Sequence, residues 1–414
     1  MASGPQSQRI QAARDIGCDP NLCDVLLSIL CRGSFCPTAR RLEKIKHLEK
    51  VWWRVSANSR PFSWNVTIVY YTKISDARRQ PRWVSTSECA GVEPGSCIIH
   101  SNKSAAPEAD ALVFTPRYVV LQKSGKIRIE GVDIDPKTMR TRPEQLFVFA
   151  FMESPERFNS MHLPHDFFNA TMTHLLDSDI EFSYRHRWVT REQAENEGIP
   201  FLPALDHTYL SGPPRNRTHF ISGFISNMAA APSGRSQILG HLAKLGKLSL
   251  FGGGGATKAD KNKCGRFDEG CVRRVFEDSY FFLAMENSVC QDYVSEKYWD
   301  RADYASIPIM LSRNITNKQE MPEKAGIFLD DYHSLDAMVK YMDYLVAQPS
   351  EYAKYIDWKK DLMLIRRPNA ANCALCRYVQ SNPSPKTYED VYDLYTETSN
   401  CQPKYGLKFL PGKS

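Results

Sequence analysis

Read for apolar and polar alternation, the chain changes character near residue 64. Before it the sequence is basic, helix-leaning and rich in cysteine. After it, short β-rich runs recur at 66–70, 96–99, 111–114, 146–150 and 180–184, each bounded by turn residues, which is the pattern of strands in an α/β domain. A proline-rich stretch over 200–214 closes that half, and the second half repeats the alternation. It offers a strand over 219–226, a helix over 235–245, a strand over 247–251 that ends in four glycines, an aromatic strand at Tyr280, and strands over 307–311 and 326–329. Helices are predicted over 335–346 and 352–364. With 414 residues the chain exceeds what one compact core holds. The expected fold class is therefore α/β, with two Rossmann-like domains facing across a cleft. Residues 1–60 form a cysteine-rich basic stem or cap, 61–212 the first domain, 213–380 the second with its closing helices, and 381–414 a tail.

The densest chemistry lies between Tyr280 and Trp299, YFFLAMENSVCQDYVSEKYW. Phe281, Phe282, Leu283 and Ala284 suit a strand buried on both faces, and Glu286, Asn287 and Ser288 follow where it must leave the sheet, the edge at which open α/β sheets bind ligands. Ser295 is placed to cap a helix whose first turn carries Glu296 and Lys297, so that backbone N–H groups and an ammonium converge on a phosphate. The competing reading is an ordinary strand followed by an amphipathic helix with solvated charges. The glycine run 252–255 lacks the Lys-Ser/Thr of a nucleotide-triphosphate loop and reads as a strand-to-helix turn.

Charge and cysteine usage narrow the setting. The net charge of +6 is spread along the chain, with no interleaved aromatic and basic platform, so a nucleic-acid partner is not expected. Twelve cysteines and five Asn-x-Ser/Thr sequons, at Asn65, Asn102, Asn169, Asn216 and Asn314, fit passage through an oxidising lumen. The longest early apolar run, 25–31, falls far short of the ~20 residues of a membrane span. Cys18, Cys23, Cys31 and Cys36 are spaced more widely than most zinc knuckles and have no histidine nearby, which favours disulfides over zinc. Cys373 with Cys376 reads as a structural bridge rather than a redox pair, and Cys89 with Cys97 and Cys264 with Cys271 are near enough to close small loops.

Several stretches resemble the α1,3/4-fucosyltransferase family. Ala284-Met285-Glu286-Asn287-Ser288 followed by Asp292-Tyr293-Val294-Ser295-Glu296-Lys297 is similar to its AFENS and DYxTEK signature. Met152-Glu153-Ser154-Pro155 resembles its MESP element and Asp177-Ser178-Asp179-Ile180 its DSDI element. Residues 223–235 are similar to the segment in which an SN pair precedes a phosphate-binding arginine, and Cys373 to Cys376 to the closing CxxC. The likeness spans roughly 63–379. It implies the two-domain GT-B fold, a type II Golgi anchor that this sequence lacks, so that the chain reads as an ectodomain or an incomplete gene product, and an invertebrate-like enzyme moving L-fucose from GDP-fucose to N-acetylglucosamine of a glycan or glycoprotein, with inversion.

Such a transfer needs a base for the acceptor hydroxyl, positive charge for the leaving diphosphate, and contacts that fix nucleoside and sugar. Glu153 follows an apolar strand and should project into the cleft, and the MESP resemblance implies the role of base; the alternative is a carboxylate capping the turn before Pro155. Arg235 and Lys297 are the diphosphate candidates, an arginine gripping two oxygens while a lysine supplies a point charge. Asn287, Tyr293 and Glu296 match residues that contact sugar and ribose, with core packing the alternative for Tyr293 and a strand-ending turn for Asn287. Asp177 and Asp179 form an Asp-x-Asp triplet, which in other sugar transferases chelates a metal. Because they lie in the first half while Arg235 and Lys297 already carry positive charge in the second, they are assigned to acceptor-side support. No metal site and no essential cofactor are expected; a divalent metal is at most stimulatory. The resemblance weakens at Ala170 and His174-Leu175-Leu176, where the family has an aromatic and two positive charges, and acceptor identity is correspondingly open. A transferase of this fold using another nucleotide sugar, and a non-catalytic glycan-binding relative, are the competing functions.

Overall fold

The computed structural model describes residues 65–73, 89, 91–158, 161–204, 217–226, 231–255, 257–265, 268–315, 321–366, 370–383 and 386–412. The stem or cap over 1–60, its four cysteines and the sequon at Asn216 lie outside these residues.

The first domain is a parallel sheet in the order β2-β1-β3-β7-β8-β9, built from β1 (Val66–Tyr70), β2 (Cys97–His100), β3 (Ala111–Phe114), β7 (Leu146–Phe151), β8 (Ala170–Thr173) and β9 (Ile180–Glu181). A small antiparallel meander, β4 (Val119–Leu121), β5 (Ile127–Ile129) and β6 (Val132–Ile134), is inserted after β3. The second domain is a parallel sheet in the order β12-β11-β13-β14-β15, from β11 (His219–Phe224), β12 (Leu248–Phe251), β13 (Ser279–Leu283), β14 (Ile307–Met310) and β15 (Ile327–Phe328). Continuous apolar runs make these strands because both faces are covered, so no polar alternation is required. Two Rossmann-like sheets were expected, and two are found.

Helices bury the second sheet from both sides. On one face Ile221, Phe281, Leu283 and Ile309 pack with Ile238 and Leu242 of α1 (Arg235–Lys244) and with Met338, Met342 and Leu345 of α4 (Leu335–Ala347). On the other, Phe282, Met310 and Phe328 pack with Phe276 of α2 (Glu269–Glu277) and with Tyr298 and Trp299 of α3 (Glu296–Trp299).

Three expectations are corrected. Residues 352–364 are not one helix: after Pro349–Ala353 the chain forms a single 3-10 turn and then β16 (Leu362–Ile365), antiparallel to β10 (Arg187–Thr190). Tyr352, Tyr355 and Trp358 repeat every three residues and imitate a helical stripe, but Tyr352 and Tyr355 pack into the second core while Trp358 donates its indole N–H to the Lys324 carbonyl. The second correction concerns the boundaries at 380 and 381. Beyond β16 the chain returns to the first sheet, where Leu375, Cys376 and Val379 of α5 (Ala370–Gln380) cover one face and Val391, Tyr392 and Tyr395 of α6 (Val391–Ser399) cover the other. What reads as a tail is therefore core. The third concerns cysteine pairing. Cys373 and Cys376 do not bridge each other, nor does Cys89 join Cys97; the pairs are Cys89–Cys373 and Cys97–Cys376, because consecutive turns of α5 each face a different first-domain cysteine. Cys264–Cys271 does form, and Cys290–Cys401 was not anticipated.

Candidate active site

The carboxyl ends of β7, β11 and β13 point their exit loops toward one another, and the predicted residues sit on these loops. Glu153 stands two residues beyond β7. Its Oε2 accepts a hydrogen bond from the Tyr293 hydroxyl at 3.3 Å, and the guanidinium of Arg157 lies 3.9 Å away, so the carboxylate faces the second domain rather than capping the turn. About a third of the Glu153 side chain stays open to solvent, which leaves room for a reacting group. Burial, reinforced by Glu153, pushes the Tyr293 phenol well above its ordinary range, so it remains a donor.

Across from Glu153 lies a cationic pair with an internal counter-charge. Arg235 is the first residue of α1, entered through Gly234 in the left-handed region (φ 81°), a conformation that costs glycine little. The guanidinium is buried and donates to the Met285 carbonyl at 3.0 Å. Burial lowers its pKa, opposed by the charge of Glu286. Lys297 donates to Glu286 at 3.0 Å, to the Ser295 hydroxyl at 2.8 Å and to Glu296 at 3.5 Å. Although burial works to depress the Lys297 pKa, Glu286 and Glu296 outweigh it and the value rises. For Glu296 burial works upward, yet Lys297 and Arg301 hold the carboxyl below its usual range. Ser295 caps α3 as anticipated, its hydroxyl accepting from the Lys297 backbone N–H.

Glu286, expected only as a polar residue at the strand exit, is the hub of this half. Its buried carboxylate accepts from the Ser295 backbone N–H (2.8 Å), the Ser295 hydroxyl (2.9 Å) and the Lys297 ammonium. The available signal was a carboxylate directly after an apolar run, which stays buried only when paired. Asn287 is buried beside it, its backbone carbonyl accepting from Ser233 N–H, while its side-chain oxygen finds no hydrogen-bond partner among the described residues. A ligand hydroxyl would relieve that desolvation cost.

Asp177 and Asp179 do not join the cluster. Asp177 is exposed. Asp179 accepts from the backbone and hydroxyl of Thr171, from the Tyr388 hydroxyl at 2.6 Å and from Lys386, tying the returning chain to the first sheet. That carboxylate is occupied by protein donors, a structural duty. Of the sequons, Asn65, Asn102 and Asn314 are exposed, but Asn169 is buried. Its carboxamide accepts from Phe147 N–H at 3.0 Å and donates to the Lys386 carbonyl at 2.9 Å, so it is withdrawn as a glycosylation site.

Sequence reasoning also missed the segment that braces the site. Backbone N–H groups of Gln402, Lys404 and Gly406 donate to Val289, Pro232 and Ser233, Gln291 N–H donates to Ser399, and Cys290 is bonded to Cys401. This strap therefore holds both the 231–234 loop ahead of Arg235 and the 286–293 loop that carries Asn287 and Tyr293. Gly406 fits because an added Cβ would collide with the Ile238 side chain.

Two family profiles match the chain: "Fucosyltransferase, N-terminal" over residues 63–185 and "Glycosyltransferase family 10 (fucosyltransferase) C-term" over 214–394. Alpha-(1,3)-fucosyltransferase fut-5 of Caenorhabditis elegans is 28% identical over 333 residues, covering 78% of this chain and 81% of that protein. Human 4-galactosyl-N-acetylglucosaminide 3-alpha-L-fucosyltransferase FUT6 is 26% identical over 298 residues, 70% of this chain and 72% of that one. Among solved structures, an alpha1,3-fucosyltransferase with GDP-fucose aligns with a TM-score of 0.48 at 15% identity, over 81% of this chain and 94% of the other.

Proposed function

Because the chain belongs to glycosyltransferase family 10, the fucosyltransferases, we propose that its cleft transfers L-fucose from GDP-β-L-fucose to the 3-hydroxyl of N-acetylglucosamine in a glycan, with inversion. The observation that carries this reading is the 3.3 Å contact between Tyr293 and Glu153, which sets a solvent-reachable carboxylate of the first domain against the cationic loops of the second. In the step proposed, the acceptor O–H gives its proton to Glu153 while its oxygen bonds to the anomeric carbon. The glycosidic C–O bond breaks and its electron pair leaves with GDP. Arg235 and Lys297 stabilise the charge that develops on the departing diphosphate, and Asn287, Tyr293 and Glu296 hold sugar and ribose. Attack opposite the leaving group converts the β-linked donor into an α-L-fucoside.

Two protein cations supply the charge compensation that a divalent metal provides elsewhere, so transfer runs without one. Disulfides joining distant segments suit an oxidising compartment, and we place the enzyme in the Golgi lumen. Among the described residues no helix is long and apolar enough to cross a membrane. The test combines GDP-fucose, defined acceptor glycans and a chelator. Glu153→Gln should lose transfer at least ~10²-fold while GDP affinity stays near that of the parent. Lys297→Ala should weaken GDP binding instead. A fully active Glu153→Gln protein refutes the base, and loss of parent activity in the chelator refutes the metal-independent step.

A further inference from the structure

His174 and Tyr395 lie 221 residues apart and meet beneath the proposed base. The Tyr395 hydroxyl donates to the backbone carbonyl of Glu153 at 2.7 Å and lies 2.8 Å from His174 Nδ1. His174 Nε2 lies 3.2 Å from the Gln291 carbonyl, and its ring packs edge-on against Tyr293 with centroids 5.0 Å apart. The circuit closes on Glu153, because Tyr293 holds the carboxylate of the residue whose main chain Tyr395 holds. Both tyrosines and the histidine are buried.

We propose that His174 and Tyr395 are positioning residues of the transfer reaction, fixing the main chain of Glu153 while Tyr293 fixes its carboxylate. The proposal rests on Glu153 being the base. Proton counting sharpens it. A phenol has one proton, and the one that reaches the Glu153 carbonyl cannot also serve His174, so the bond between them runs from Nδ1–H to the phenol oxygen. The alternative arrangement turns the phenol proton to Nδ1 and sends an Nε2–H to Gln291, which leaves the Glu153 carbonyl unheld; the proposed one leaves a bare Nε2 facing the Gln291 carbonyl, and the 2.7 Å Tyr395–Glu153 contact against the 3.2 Å His174–Gln291 one favours it. Burial pushes His174 down to about 3, so a single ring proton must choose between the two. A base displaced by a fraction of an ångström loses much of its rate, and the Tyr395 hydroxyl reaches the Glu153 main chain and His174 rather than the donor-gripping residues of the second domain.

The test uses the full-length enzyme. Tyr395→Phe keeps a ring against Phe149 and Phe151, which lie 5.7 and 5.9 Å from the native one, and removes only the hydroxyl. It should lower kcat roughly tenfold to hundredfold with the KM for GDP-fucose nearly unchanged. His174→Gln should give a similar loss in kcat, with some rise in the KM for GDP-fucose because its ring packs on Tyr293, and the double variant little more loss in kcat than the larger single one, because the two act through one contact. Nitrogen-15 NMR of the unmodified protein, assigned by difference against His174→Gln, reads the tautomer without reference to activity and decides the matter should Tyr395→Phe fail to fold. A proton on Nδ1 supports the proposal. A proton on Nε2 alone, or parent-like kcat in Tyr395→Phe beside an inactive Glu153→Gln, overturns it and leaves the base reading standing. An active Glu153→Gln overturns both.

Discussion

Removing the Cys290–Cys401 bridge by a Cys290→Ala/Cys401→Ala double substitution should destabilise the enzyme and impair its grip on the donor together. The bridge joins residues 111 apart and closes that loop in the unfolded chain. Chain-entropy reasoning assigns a loop of that size about 4.8 kcal/mol, against about 2.4 kcal/mol for the seven-residue span of Cys264–Cys271. For a domain of this scale the larger figure corresponds to a fall in unfolding temperature of roughly 10 °C. The functional part follows from position: Cys290 sits in the loop carrying Asn287 and Tyr293, and without the bridge the strap over 399–406 is left to its backbone bonds with Val289, Gln291, Pro232 and Ser233. Local opening of the strap then competes with donor binding, and the KM for GDP-fucose rises severalfold. The assay is thermal unfolding at one fixed scan rate, with and without GDP, beside initial-rate kinetics, and Cys264→Ala/Cys271→Ala is the control. The control should lose stability but keep its KM. If the Cys290/Cys401 variant melts within about 1 °C of the parent, or melts lower yet keeps the parental KM, the strap does not organise the donor loops.

Two further outcomes are expected. In protein from a secretory host, glycopeptide mass spectrometry should find glycan among Asn65, Asn102 and Asn314 and none at Asn169, whose amide is consumed inside the fold; Asn169→Ala should cost about 1–3 kcal/mol in unfolding experiments by orphaning the Phe147 N–H. Lys359 is fully buried, donates to the Tyr304 carbonyl, and is driven by burial down to about 7. Its folded pKa lies below its unfolded one, so the unfolded chain binds more protons between about pH 7 and 10, and stability on its account rises with pH across that window. Replacement by methionine should therefore help most at pH 7 and below and least at pH 10, and a flat difference in unfolding temperature across that range would refute the assignment.

Legibility in the sequence tracked sequence distance. The strands of both sheets announced themselves as apolar runs, and the run 280–299 exposed Asn287, Tyr293, Glu296 and Lys297 because ligand edge, cap and charge pair lie within twenty residues. Short strands that owe their state to a partner did not: β10 and β16 pair only with each other across some 170 residues, and nothing local marks either. The same holds for Tyr395 against Glu153 and for Cys290 with Cys401, where each residue alone reads as ordinary core. Glu286 was visible but misweighed, since a carboxylate at a strand exit looks solvated until Ser295 and Lys297 are brought to it.

The loop at residues 174–176 lies against the C-terminal helix. Leu175 is buried with Tyr392 and Tyr395 of α6, and the Leu176 N–H donates to Asp292 across the cleft at 3.2 Å. A positive charge at 175 would be sealed beneath that helix, several kcal/mol worse than leucine unless a counter-ion came with it. With α6 over this face, Leu175 is sealed among apolar groups, and the hydroxyl that reaches the main chain of Glu153 comes from the helix itself. On the open side of Glu153, Arg157 is more than a third exposed and holds its guanidinium 3.9 Å from the carboxylate, so Arg157→Ala is expected to change the KM for the acceptor more than that for GDP-fucose in initial-rate assays.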